Sequence, residues 1–125
     1  MFVPLLEADP SFSDKWRAFV EEWPDEQDDL PQYLALSDVA RHLIRRLEAS
    51  DVANFDAVFD VVERWHVEGD AYVREAASLG LLEDLQNGYL HETTQPSDFE
   101  KWLRPTSRIW WDKLIAYWEQ GAPLQ

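Results

Sequence analysis

Glu63 and His66 stand three positions apart, the i, i+3 spacing with which helical bundles hold di-metal carboxylate centres. Such a centre takes two of these pairs and two further carboxylates. The sequence holds one pair, with His66 beside Trp65 at the apolar edge of its segment. The plainer reading is a partly buried structural histidine. His42, His66 and His91 fall on three different predicted elements. No G-x-S-x-G elbow, phosphate loop or G-x-G-x-x-G turn is present, and the absence of cysteine removes thiol nucleophiles and thiolate metal sites. Asp25, Asp28 and Asp29 are oxygen donors suited to calcium, but the EF-hand spacing and its glycine are missing. The expectation is a protein that is not an enzyme and holds no metal or cofactor.

What the chain has in abundance is carboxylate. Glu21, Glu22, Asp25, Glu26, Asp28 and Asp29 put six acids and no base into nine residues, either as a solvated loop or as a docking edge for a basic protein. Asp56, Asp60 and Glu63 recur at i, i+4, i+7, opposite Phe55, Phe59 and Val62. Like charges at that spacing cost a helix a few tenths of a kcal/mol per pair, so the stripe is read as a plain solvated face or as a partner contact. Glu68, Asp70, Glu83 and Asp84 extend the same zone, Asp70 having a sufficient role as a helix cap. Trp110 and Trp111 cannot both face one way, since neighbours on a helix differ by about 100°. One is expected at a helix–helix seam and the other exposed, and Trp111 is carried as a contact residue because exposed tryptophans anchor interfaces.

The chain has 125 residues, 25 acidic and 11 basic, for a net charge of −14. Residues 1–31 and 52–92 carry −7 each, while 32–51 and 93–125 are neutral. Such a balance argues against nucleic acid and anionic membrane as partners, since both demand cationic surface, and favours a basic protein. With 46% hydrophobic and 14% aromatic residues the chain can bury a core, and its length fits one domain over 1–125. The opening MFVPLLEADPSF lacks the basic n-region of a secretory signal, and no apolar stretch nears the roughly 20 residues that span a bilayer. Together with the lack of cysteine, this fits the cytoplasm.

The elements that must position these residues are helical. Asp9-Pro10 reads as a start signal for a helix with Phe12, Trp16, Phe19, Val20 and Trp23 on one face, stopped by Pro24. A second helix is predicted over about 32–49, and a third over 53–67, ended by Gly69. Asp70 caps a fourth, over 71–87. Ser97 and Glu100 have capping-box spacing for a short helix to Leu103. Pro105-Thr106-Ser107 opens the last helix, with Trp110, Trp111, Leu114, Tyr117 and Trp118 assigned to its buried side and Gly121 and Pro123 closing it. The fold class is therefore all-α, a compact bundle of about six helices.

Around Gly69 the third and fourth helices form a sharp antiparallel turn, and V-R-E-A-A opens the second of them, with Ala76, Ala77 and Gly80 about one turn apart. This looks like a HEAT-type helical hairpin. The chain also resembles a family of short acidic bacterial proteins of unknown function with an E-G-D…V…A…G-L-L-E…L-Q-N segment, here Glu68 to Asn87, and a closing S-R-x-W-W-D-x-L segment, here Ser107 to Leu114. The resemblance implies an immunity-type protein that neutralises a basic toxin by covering its active cleft. The alternatives are a nucleic-acid mimic or regulatory adaptor and, third, a metal-binding helical enzyme. Oligomeric state is left open.

Overall fold

The computed structural model describes residues 2–22 and 32–121. Among them there are seven α-helical segments and no strand: α1 (Phe2–Ala8), α2 (Ser13–Glu22), α3 (Gln32–Glu48), α4 (Phe55–Glu68), α5 (Ala71–Glu75), α6 (Glu83–Leu85) and α7 (Pro105–Gln120). A π-helical stretch, Ala76–Leu82, joins α5 to α6, so residues 71–85 run on as one rod. Short 3-10 stretches cover Pro10–Phe12, Gly88–Leu90 and Pro96–Trp102. The fold is an all-α bundle, and none of its described helices is long and apolar enough to cross a membrane.

α3 is the central beam. Ala35, Leu36, Val39, Ala40, Leu43 and Ile44 are buried in adjacent pairs one turn apart, an apolar stripe wide enough to meet neighbours on two sides. The π-helical stretch lies along one of those sides. Its small residues let backbones close up: a β-carbon on Gly80 would stand 3.1 Å from Leu36 Cδ1 and 3.4 Å from Tyr33 Cδ1. α4 buries Phe55, Val58, Phe59, Val61, Val62, Trp65 and His66. Phe55 and Phe59 then carry the Pro96–Trp102 stretch through Phe99 and Trp102, with Phe55–Trp102 centroids 4.9 Å apart.

Several local expectations are corrected. α1 has no start signal and carries Pro4 in its first turn, where proline is tolerated, so its spacing gives no warning of a helix. It forms because Phe2 stacks on Trp16 at 4.5 Å and meets Trp65 edge-on. Asp9 caps Pro10 as expected, but the first turn, Pro10–Phe12, is 3-10 before it runs on at Ser13 into α2. Gly69 follows α4 in an extended conformation, φ −71°, not the left-handed one common at helix ends. It is needed for space, since a β-carbon there would meet Trp65 O at 2.4 Å and Val73 Cγ1 at 2.6 Å. The left-handed cap belongs to Gly121, φ 68°, whose N–H donates to Tyr117 O and closes α7. The cap at residues 95–98 is made by the Gln95 N–H donating to Asp98; Ser97 is exposed.

Candidate functional site

The expected acidic contact surface is only partly assembled. Asp25, Glu26, Asp28 and Asp29 lie outside the described residues, as do Trp23 and Pro123. Glu21 and Glu22 are exposed at the end of α2. Glu22 borders a hollow that also contains Lys15, Asp38 and Arg41, a mixed-charge surface. Asp56, Asp60 and Glu68 are exposed on α4, with Arg64 3.8 Å from Asp60.

Glu63 leaves the stripe altogether. Its carboxylate accepts the backbone N–H groups of Thr106 (3.0 Å) and Ser107 (2.8 Å) and the Ser107 hydroxyl (2.9 Å). These are orphan donors of the first turn of α7, where a negative charge also meets the positive end of the helix dipole. Burial pushes the Glu63 carboxyl up, but those hydrogen bonds outweigh it and hold it below the usual range. His66 is buried next to this joint. Its Nδ1 lies 2.9 Å from Val62 O, and a carbonyl only accepts, so Nδ1 carries the hydrogen. Burial lowers the His66 pKa, keeping the ring neutral. Glu63 thus fastens α4 to α7, with the Ser107 hydroxyl also 3.2 Å from His66 Nδ1.

Ser11, His42 and Asp9 look at first like a nucleophile, base and orienting acid. Ser11 Oγ is 2.9 Å from His42 Nε2 and donates to Asp9. The wiring runs the other way. Lys15 Nζ, which only donates, sits 3.1 Å from His42 Nδ1, which makes Nδ1 the acceptor and leaves the hydrogen on Nε2. Nε2 therefore cannot take a proton from Ser11. Beyond it, Arg46 Nη1 lies 3.0 Å from Asp9 Oδ2, while its Nε and Nη2 each stand 3.3 Å from Asp51. Asp9 is 1% exposed and Arg46 7%. Burial alone would raise the Asp9 pKa, but hydrogen bonds from His42 and Ser11 and the Arg46 charge bring it to about 2. This is a buried ionic joint between the N-terminal segment and α3.

The uncompensated negative charge gathers elsewhere. A groove of about 950 Å³ opens between the end of the 71–85 rod, the turn at 95–97 and the C-terminal half of α7. Pro96, Ile115 and Trp118 give it apolar walls; Glu83, Asp84, Glu100 and Glu119 line it, with no basic residue among the described ones. Asp84 accepts from Ser37 Oγ at 2.6 Å, and Glu100 is engaged by Arg108 (3.2 Å) and the Trp111 indole (3.3 Å). Among the described residues, the carboxylates of Glu83 and Glu119 have no hydrogen bond or ion pair. Burial, then the neighbouring Asp84 charge, raises the Glu83 pKa.

The tryptophans exchange their expected places. Trp111 is fully buried, not a contact residue, because at that point α7 lies over the 3-10 stretch whose Glu100 takes its indole N–H. Trp118, seven positions on and on the same face, is 62% exposed. Tyr117 is exposed as well and meets Trp118 edge to face, centroids 5.3 Å apart. Glu83 and Asp84 were visible as part of an acidic zone, whereas Glu100 and Glu119 sit in a stretch whose charge sums to zero.

Neither the curated proteins nor the solved structures contain a match to this sequence. A family model does match, over residues 2–119, nearly the whole described body including every wall of the groove. The chain belongs to the family described as a domain of unknown function, DUF7674.

Proposed function

We propose that this protein is an acidic binding module for a basic protein, of the immunity or inhibitor type, acting in the cytoplasm by covering the cationic cleft of a toxin without catalysing a reaction. The observation that carries the reading is the groove beside Trp118, where Glu83 and Glu119, without partners among the described residues, stand with Asp84 and an Arg108-paired Glu100 around an apolar floor. Unpaired carboxylates on a bundle repel one another and gain nothing from folding. They become favourable when a cationic surface arrives, and complementary charge speeds that encounter and rejects wrong partners. Trp118 supplies the aromatic anchor on which interfaces concentrate their energy. The α4 turn into the 71–85 rod serves here as a HEAT-like hairpin, a stiff support for the groove's first wall.

The test is a partner measurement. The product of a toxin-like reading frame beside this gene is purified and titrated with the wild-type protein and with the double variant Glu83→Lys, Glu119→Lys. Reversing two unpaired charges should weaken binding by more than about tenfold, mostly through slower association and with a flatter salt dependence. Equal affinity for both proteins, or failure of the module to block the partner's activity, would overturn the proposal.

A further inference from the structure

Three tryptophans lie on or next to α7 with part of their rings reachable, and two of them have a cation of their own. Lys101 Nζ stands 4.5 Å from the centroid of Trp102, and Lys113 Nζ stands 4.5 Å from that of Trp110. Trp118 is the most exposed of the three, yet no cation of the described residues stands over it. It lines the same groove as the two unpaired carboxylates, Glu83 and Glu119. The ring face attracts positive charge through its quadrupole, and the carboxylates attract it as full charges, so both demands are met by one group. The lysine ammoniums over Trp102 and Trp110 meet their rings as point charges, whereas a flat cation covers more of an indole and offers donors around its edge to two carboxylates. A guanidinium is such a cation; an ammonium satisfies the charge but not the plane or the fork of donors.

We infer that the groove is an arginine receptor: it takes an arginine side chain of the partner, stacked on Trp118 and hydrogen-bonded by Glu83 and Glu119, with the apolar residues flanking that arginine resting on Ile115 and Pro96. This rests on the binding-module reading and names the chemistry it reads. The groove's volume of about 950 Å³ exceeds that of one side chain and leaves room for those flanking residues. Asp84, bonded to the neutral Ser37 hydroxyl, adds field without needing to move, while the charge of Glu100 is offset by Arg108.

The probe is an acetylated, amidated Leu-Arg-Leu tripeptide, compared with its citrulline counterpart, which has the same shape without the charge, and with its lysine counterpart. Titrations into the ¹⁵N-labelled full chain are followed on the indole N–H signals, the Trp118 signal being assigned by its loss in Trp118→Leu. The arginine peptide should shift the Trp118 signal saturably at millimolar concentration, about tenfold more tightly than citrulline, with lysine between them. Glu83→Gln with Glu119→Gln should abolish the preference while the other indole signals, which report the fold, stay in place. Equal binding of arginine and citrulline, or an unchanged preference in the Gln variant, would overturn the inference. If charge reversal blocks the protein partner while the arginine peptide leaves Trp118 unmoved, arginine capture fails and the binding module stands. If the peptide binds as expected and the purified partner does not, the module reading fails and the receptor stands.

Discussion

Asp9→Asn isolates the buried joint between the N-terminal segment and α3. Asparagine keeps the shape and the oxygen that accepts from Ser11 N–H, while its amide nitrogen takes the place of Oδ2 opposite Arg46 Nη1, so the substitution removes the charge and the acceptor that Arg46 uses. In the wild type the Asp9 pKa is about 2 against an ordinary 3.8. A depressed carboxyl contributes stability that is present above the unfolded pKa and lost as pH falls through the folded one. At about 1.4 kcal/mol per unit, the contribution is roughly 2 kcal/mol at pH 7, about half that at pH 3 and little at pH 2. The structural route gives a similar size. Removing one partner of a buried pair costs about 3–5 kcal/mol, reduced here because Arg46 keeps Asp51. Urea unfolding of both proteins at pH 7, 3 and 2 reads the gap directly. Acid weakens both through other depressed carboxyls, Glu48, Asp51 and Glu63, so the informative quantity is the difference between the two proteins. It should be about 2 kcal/mol at neutral pH and close toward zero in acid. A gap that stays constant with pH, or a variant as stable as wild type at pH 7, would refute the reasoning.

Other substitutions test other joints. Glu63→Ala strips the acceptor from two backbone N–H groups and a hydroxyl at the start of α7. It should cost about 2 kcal/mol in urea unfolding, from the range for helix caps and dipole-facing charges. Trp111→Ala should cost about 3–5 kcal/mol as a large-to-small change in the core, while Trp118→Ala stays within about 0.5 kcal/mol; similar losses for both would contradict their burial. Gly80→Val places branched methyls against Leu36 and Tyr33 and should lower stability by about 1–3 kcal/mol, read as a drop in melting temperature with helicity retained by circular dichroism at 20 °C.

The contrast between Trp111 and Trp118 also explains what periodicity can and cannot reveal. Spacing identifies which residues share a helix face, and on that ground the long helices α3, α4 and α7 were legible within a few residues. It carries no information on where along that face the neighbours stop. α7 is longer than the wall it packs on, so the same stripe is core at Trp111 and Leu114 and surface at Trp118. Glu63 misleads for the related reason that a tertiary cap is written in two places. The α4 pattern presents it as one more surface acid, and only the packed start of α7, with its unpaired N–H groups, gives it a partner. The π-helical stretch 76–82 is buried at six of its seven positions, so no polar face marks its turn angle.

Charge summed along the sequence does not map the charge of the folded surface. Summed over stretches of sequence, acidity concentrates in 1–31 and 52–92, which directs attention to α4 and the run after Glu21. In the folded chain, Asp60 has Arg64 beside it and Glu22 borders Lys15 and Arg41. The groove instead draws Glu83 and Asp84 from an acidic zone and Glu100 and Glu119 from a neutral one whose bases are mostly engaged away from it: Arg108 pairs with Asp112 and, of the groove's acids, with Glu100, while Lys101 and Lys113 cover tryptophans. Neutrality over a stretch therefore conceals a separation of charge in space. The bases of that stretch are committed to internal contacts, and among the described residues no cation stands over Trp118 or pairs with Glu83 or Glu119.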